Sequence, residues 1–188
     1  AEIYEVNLGS WVAGRPAPLM VYGPTGVGEV TSAVNAGYRL DRIYRTGHHG
    51  EALLPPALGV LQHKTIAPGV ILDDGDLKIT AYATEHPPIE PAVGYRFDYR
   101  GRSVVISGDG NVNGDTREIV DDLDLLLHDA LSVPTVTALS EALGAADQPR
   151  QSKIVADVLD YHASTDALIE LGEQSNVDMV AFYHLVPV

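Results

Sequence analysis

The stretch Asp160 to Pro187, DYHASTDALIELGEQSNVDMVAFYHLVP, places a histidine at each end of one helix-and-strand unit, and the fold is read outward from it. After His162, either Ser164 or Thr165 can accept the free backbone N–H groups that open a helix. Ala167, Leu168 and Leu171 then recur at the spacing of one apolar helix face. Gly172 and Asn176 loosen the helix towards its end. Met179 to Tyr183 is an unbroken apolar run with polar neighbours, which predicts a strand covered on both faces. His184 follows at the carboxyl end of that strand, where open α/β sheets place their ligands. One strand-end histidine also fits a satisfied core role, so the question is whether other strands end the same way.

They do. Leu77–Thr84 alternates in part and ends in Glu85-His86-Pro87-Pro88; Ser103–Ser107 is apolar enough to be central and runs into Gly108-Asp109-Gly110. Asp124–Leu127 reads as a buried strand ending in His128-Asp129. Val70–Leu72 and Val93–Tyr99 complete the strands, with Asp73-Asp74-Gly75-Asp76 as a hairpin turn that lacks the downstream glutamate of a calcium loop. Asp109 also fits a plain Asx-turn. Helices at Thr135–Ala146 and Ser152–Leu159 are expected to cover the sheet.

Upstream, Ala1–Val12 is weakly helical, with Ile3, Val6 and Trp11 on one face. Leu19–Tyr22 reads as a short strand. The following GPTGVG lacks the Lys-Ser/Thr of a phosphate loop and the spacing of a dinucleotide fingerprint, so it reads as a strand-to-helix turn. Glu29–Tyr44 is expected to be one helix, His48-His49 an exposed loop, and Leu54–Pro68 irregular. The whole is expected to be one α/β domain over residues 1–188.

Composition narrows the class. The chain has 188 residues, 45% hydrophobic, with no cysteine for disulfides or thiolate chemistry. No apolar run approaches the roughly 20 residues needed to cross a bilayer. No signal peptide is visible at Ala1, leaving a soluble chain whose compartment, cytoplasmic or periplasmic and secreted, stays open. With 26 acidic and 12 basic residues, the net charge is −14. That counsels against nucleic acid, which needs a Lys/Arg footprint, yet it permits a cation-filled cleft, because bound metal inverts the local field.

Imidazole and carboxylate without thiolate are the donor set of hydrolytic zinc, iron or manganese centres. Taken in order, TEHP (His86), SGDG (Asp109), HDA (His128–Ala130), YHAST (His162) and FYHLVP (His184) resemble the metallo-β-lactamase superfamily, nearest its ribonuclease Z and arylsulfatase-type branch. WVAGRPAPLMVYGPTG also resembles that branch, where Trp-x-x-Gly-Arg leads into a "VYGP" strand. The resemblance implies the αβ/βα sandwich of that fold, a mixed sheet covered by helices. It implies His86, Asp109 and His184 as metal ligands, Asp109 bridging two divalent ions, zinc first with manganese or iron as alternatives. His162 corresponds to the catalytic histidine and Asp129 to the acid that holds its tautomer, with His128 structural.

The main metal motif of the family, HxHxDH, is absent, so the chain is expected to be the C-terminal portion of a longer hydrolase. Its exposed half-sandwich would favour a homo-oligomer. A small ester is the expected substrate: a phosphodiester, sulfate ester, lactone or β-lactam. A ribonuclease Z-like RNA endonuclease ranks lower for want of basic surface and of a long Gly/Pro-rich arm, and a metal-poor binding or assembly module is the non-enzymatic alternative.

Overall fold

Short strands and helices build two units in the computed structural model, which describes residues 2–187; the first residue of the expected helix Ala1–Val12 lies outside them. Unit 1 is Ala1–Ile66 and unit 2 is Ala67–Val188. No helix among the described residues is long and apolar enough to cross a membrane.

Unit 1 holds α1 (Ile3–Val12), β1 (Leu19–Gly23), α2 (Val27–Gly37), α3 (Arg39–His49) and β2 (Leu61–Thr65). Its inner helix face is Asn7 and Trp11, one turn apart, while Val6 is exposed, contrary to expectation. Arg15 explains the Gly-Arg after Trp11. Its guanidinium donates to Leu58 O (2.6 Å), Asn7 Oδ1 (3.0 Å) and Ser10 Oγ, while its Nε donates to Ala17 O. The helix expected over Glu29–Tyr44 is two helices broken at Tyr38, just after Gly37, where glycine weakens helix by about 1 kcal/mol; the Tyr38 ring stacks on Tyr4 there. His48 and His49 are the last residues of α3 and not a loop, at the end where the helix dipole favours positive charge. Leu54–Pro68 is not wholly irregular either. It contains β2, parallel to β1, with Asn35 bonded to both Leu61 N and Leu61 O at 2.9 Å.

Unit 2 is a six-stranded mixed sheet in the order β3 (Gly69–Asp73), β4 (Leu77–His86), β5 (Ile89–Tyr99), β6 (Arg102–Ile106), β7 (Leu123–Leu131) and β8 (Val177–Val186). The first four pair antiparallel, and β6, β7 and β8 run parallel. The acidic stretch 73–76 forms the hairpin turn, Asp74 Oδ1 accepting from Asp76 N and Leu77 N. Helices α4 (Gly114–Ile119), α5 (Val133–Ala145), α6 (Pro149–Asp157) and α7 (Thr165–Gln174) complete the unit.

Its core joins Tyr82, Val105, Leu126 and Ala130 of the sheet to Val120 after α4 and Leu168 and Leu171 of α7. Burying each such leucine is worth about 1.5–3 kcal/mol. Ser164 caps α7 by accepting from Ala167 N at 3.1 Å. Two strand readings change. β7 runs on to Leu131, so His128 and Asp129 lie inside the strand. β8 is an edge strand with Met179, Phe182 and Leu185 exposed, so it is not covered on both faces.

Candidate active site

The site lies where β4, the loop after β6, β7, the start of α7 and β8 meet, and backbone irregularities aim its side chains. His86 keeps the alternation of Tyr82 and Thr84 on β4, the extra residue in the pairing beyond Thr84 lying on β5. On β8 the pairing with β7 slips between Tyr183 and Leu185, leaving His184 as the unpaired residue with φ +46°. A bulge re-aims a side chain that the regular pleat would send to the other face.

Asp109 needs glycines for space. Gly108 has φ +69°, and a Cβ there would stand 2.9 Å from Val93 O; one on Gly110 would stand 2.4 Å from Thr84 Oγ1. This close approach of loop to β4 and β5 is what the SGDG sequence provides. Asn111 then ties three segments together. Its N–H donates to Glu85 O (2.8 Å) and its side-chain amide to Asp160 O (2.9 Å).

His162 reaches Asp129 because the segment after it is stapled to β7: Leu131 N donates to Ala163 O at 2.8 Å. His162 Nδ1 then donates to Asp129 Oδ2 at 2.8 Å, with the histidine nearly buried and the aspartate fully so. Burial by itself would push the Asp129 carboxyl up, but hydrogen bonds and charge from His128 and His162 outweigh it and hold the group below its ordinary value. The His162 ring also sits 5.7 Å from the His86 ring and 5.3 Å from the His184 ring, centroid to centroid. Tyr161 packs against both His86 and His162 at 4.8 Å.

His184 Nε2 stands 3.5 Å from Asp109 Oδ2. His86 contacts the cluster through His162 and Tyr161, and its Nδ1 is buried without a partner. In kind these donors suit a divalent cation. In number they form a pair, Asp109 with His184, and among the described residues no group of three His, Asp or Glu side chains is placed to hold one ion. Sequence reasoning passed over Asn111 and Tyr161. Their only signal was adjacency, one residue beyond Gly110 and one before His162.

No protein-family model matches the sequence. Over its full length the chain is 30% identical to a protein of Mycobacterium tuberculosis strain CDC 1551 provisionally named ribonuclease Z, of which it covers 79%. It is 30% identical to ribonuclease Z of Mycobacterium bovis strain BCG Pasteur and 29% identical to that of Mycobacterium avium, and spans 63% and 62% of those proteins. Among solved structures it resembles human tRNase Z, short form, with a TM-score of 0.58 at 16% identity, covering 91% of this chain and 62% of that one. A second is the metallo-β-lactamase fold protein YhfI of Bacillus subtilis, with a TM-score of 0.59 at 14% identity, covering 98% of this chain and 59% of that one.

Proposed function

The chain belongs to the ribonuclease Z family and has the metallo-β-lactamase fold, and from that footing we propose that it carries the catalytic half of a metal-dependent phosphodiester hydrolase acting on RNA. The observation that carries this reading is the Asp129–His162 pair, bonded at 2.8 Å inside a cluster with His86, Asp109 and His184. RNA displaces the small ester expected from composition because the relatives named above are ribonucleases.

Asp129 accepts from Nδ1 and so fixes the tautomer and plane of the His162 ring. Nε2 is then the nitrogen left to pass a proton to the leaving oxygen of a cleaved phosphodiester. Asp109 and His184 would hold a divalent cation, zinc first, with His86 and donors beyond these residues completing a two-ion site. The chemistry such ions supply when bound is a water acidified from about 15.7 to about 7 and a polarised scissile group.

The test is cleavage of a tRNA transcript against hydrolysis of bis(p-nitrophenyl) phosphate, with added zinc or manganese, for the natural protein and its His162→Ala variant. Site-specific RNA cleavage that falls by about 10²–10⁴-fold in the variant is expected for a lost proton donor. Hydrolysis of the small diester with intact RNA would return the substrate to the small-ester class. RNA cleavage indifferent to His162 would remove that residue from the chemistry.

A further inference from the structure

His128 touches the site only through Asp129, yet it is among the most buried polar residues of the protein, with no exposed surface. It sits inside β7 next to Asp129, and its Nδ1 lies 2.9 Å from the Asp129 carbonyl oxygen and 2.8 Å from Asp129 Oδ1. Both of those atoms only accept, so Nδ1 must carry the proton. The carboxylate is thereby divided. Oδ2 takes the His162 N–H, while Oδ1 is buried, makes no hydrogen bond of its own, and lies against the His128 Nδ1 whose N–H bonds the Asp129 carbonyl.

A carboxylate on a strand is free to rotate about its last bond unless both oxygens are engaged. If Oδ1 lost the polar contact with the His128 Nδ1, a turned carboxylate could satisfy Oδ1 elsewhere and present His162 with a poorer acceptor. A buried imidazole whose Nε2 finds no partner is an expensive way to fill a core position. A leucine would fill it more cheaply. We propose that His128 is a positioning residue: its Nδ1–H, bonded to the Asp129 carbonyl and in polar contact with Oδ1, keeps the carboxylate turned so that Oδ2 holds His162 in the Nδ1–H tautomer, leaving Nε2 turned to the site. The bearing of this on catalysis rests on the phosphodiester reading, but the arrangement itself does not.

Long-range ¹H–¹⁵N spectra of histidine-labelled protein distinguish the two neutral tautomers of each ring directly. They are recorded without metal or substrate at about pH 8.5, above the ordinary imidazole value of about 6.5. In the wild type, both His128 and His162 are expected to show the Nδ1–H pattern. In His128→Leu, the His162 pattern is expected to lose its single-tautomer form, its two ¹⁵N shifts moving towards each other. His128→Asn, whose amide can offer an N–H where Nδ1 stood, is expected to restore it. A folded His128→Leu with an unchanged His162 pattern overturns the proposal, and so does failure of the asparagine to restore it. Wild-type His128 protonated on Nε2 with a bare Nδ1 overturns it too, and that reading needs no variant, so misfolding of His128→Leu leaves the question decidable. Loss of RNA cleavage plays no part in these readings, so the two ideas fail separately.

Discussion

Substituting Gly108→Ala tests whether the glycine before Asp109 is there for geometry. Two costs add. An alanine at φ +69° pays for the left-handed region, about 1–2 kcal/mol for a residue with a Cβ. The new Cβ would also stand 2.9 Å from Val93 O, a backbone atom of β5, which pairs with β4 on one side and β6 on the other and cannot retreat cheaply. Overpacking of this kind costs about 1–3 kcal/mol, so the sum is about 2–5 kcal/mol. With a urea dependence of about 1–3 kcal/mol per molar, the unfolding midpoint of unit 2 should fall by at least about 0.7 M. Because the chain has two units, a single global transition is an unsafe measure. Hydrogen exchange of the Ser107 amide, bonded to Leu127 O at 3.0 Å, reads the affected region itself. Gly114→Ala is the control. It has open space around it at the first position of α4 and should be neutral or stabilising by up to about 1 kcal/mol. A Gly108→Ala protein within about 0.5 kcal/mol of wild type, the usual range of a surface change, would refute the close-approach argument.

Two further perturbations probe the buried polar groups. The Asp129 carboxyl titrates below its ordinary value in the fold, so its stabilisation is complete above the ordinary carboxylate value of about 3.9 and is lost as pH falls from there through the lower folded value; Asp129→Asn should abolish this acid-side component, and parallel acid titrations of the two proteins would contradict it. Arg15→Lys removes the fork that serves Leu58 O, Asn7 Oδ1 and Ser10 together, and should cost unit 1 about 1.5–3 kcal/mol. The sole tryptophan, Trp11, is buried there with its indole N–H on Pro55 O, so its fluorescence reports the loss, and an unchanged transition would show the fork to be dispensable.

How much of this was legible in the sequence depended on whether a segment carried its own signal. Ser103–Ser107 announced a central strand because its apolar run matches a position with neighbours on both sides. Ser164 and the leucines of α7 announced a capped, one-faced helix. By contrast, β2 reads LQHKT with only Leu61 buried, and its place is set by pairing with β1 and by Asn35, contacts that no local pattern records. Helix α4 is six residues long, too short for a helical period to show; its readable sign was the cap, Asn113 with Thr116. The order of His86, Asp109, His128-Asp129, His162 and His184 was visible, but not their aim. A one-residue slip in pairing turns a side chain to the opposite face, and the aim of His184 depends on such a slip.

Net charge argued against RNA, and the placement of the charges shows why that argument was too coarse. In unit 2 no lysine or arginine occurs in the ranges 79–95, 103–116 or 154–188, which carry every site residue but His128 and Asp129. Arg96, Arg100 and Arg102 gather instead around the β5–β6 turn, the far end of the strands from His86 and Asp109. They are paired there with Asp98, Asp76 and Asp124. An exposed pair of this kind contributes little and leaves little field. Those three ranges hold ten of the 26 acidic residues and none of the 12 basic ones, so much of the −14 belongs to the segments that carry the site, and the site itself offers carboxylates and imidazoles. Such a site repels phosphate while empty and attracts it once divalent ions are held. On the phosphodiester reading, the bound ions decide the sign of the field that the substrate meets, and the amino-acid count does not. The short Arg100-Gly101 turn fits the same economy, since it leaves no long arm between β5 and β6 to supply basic grip.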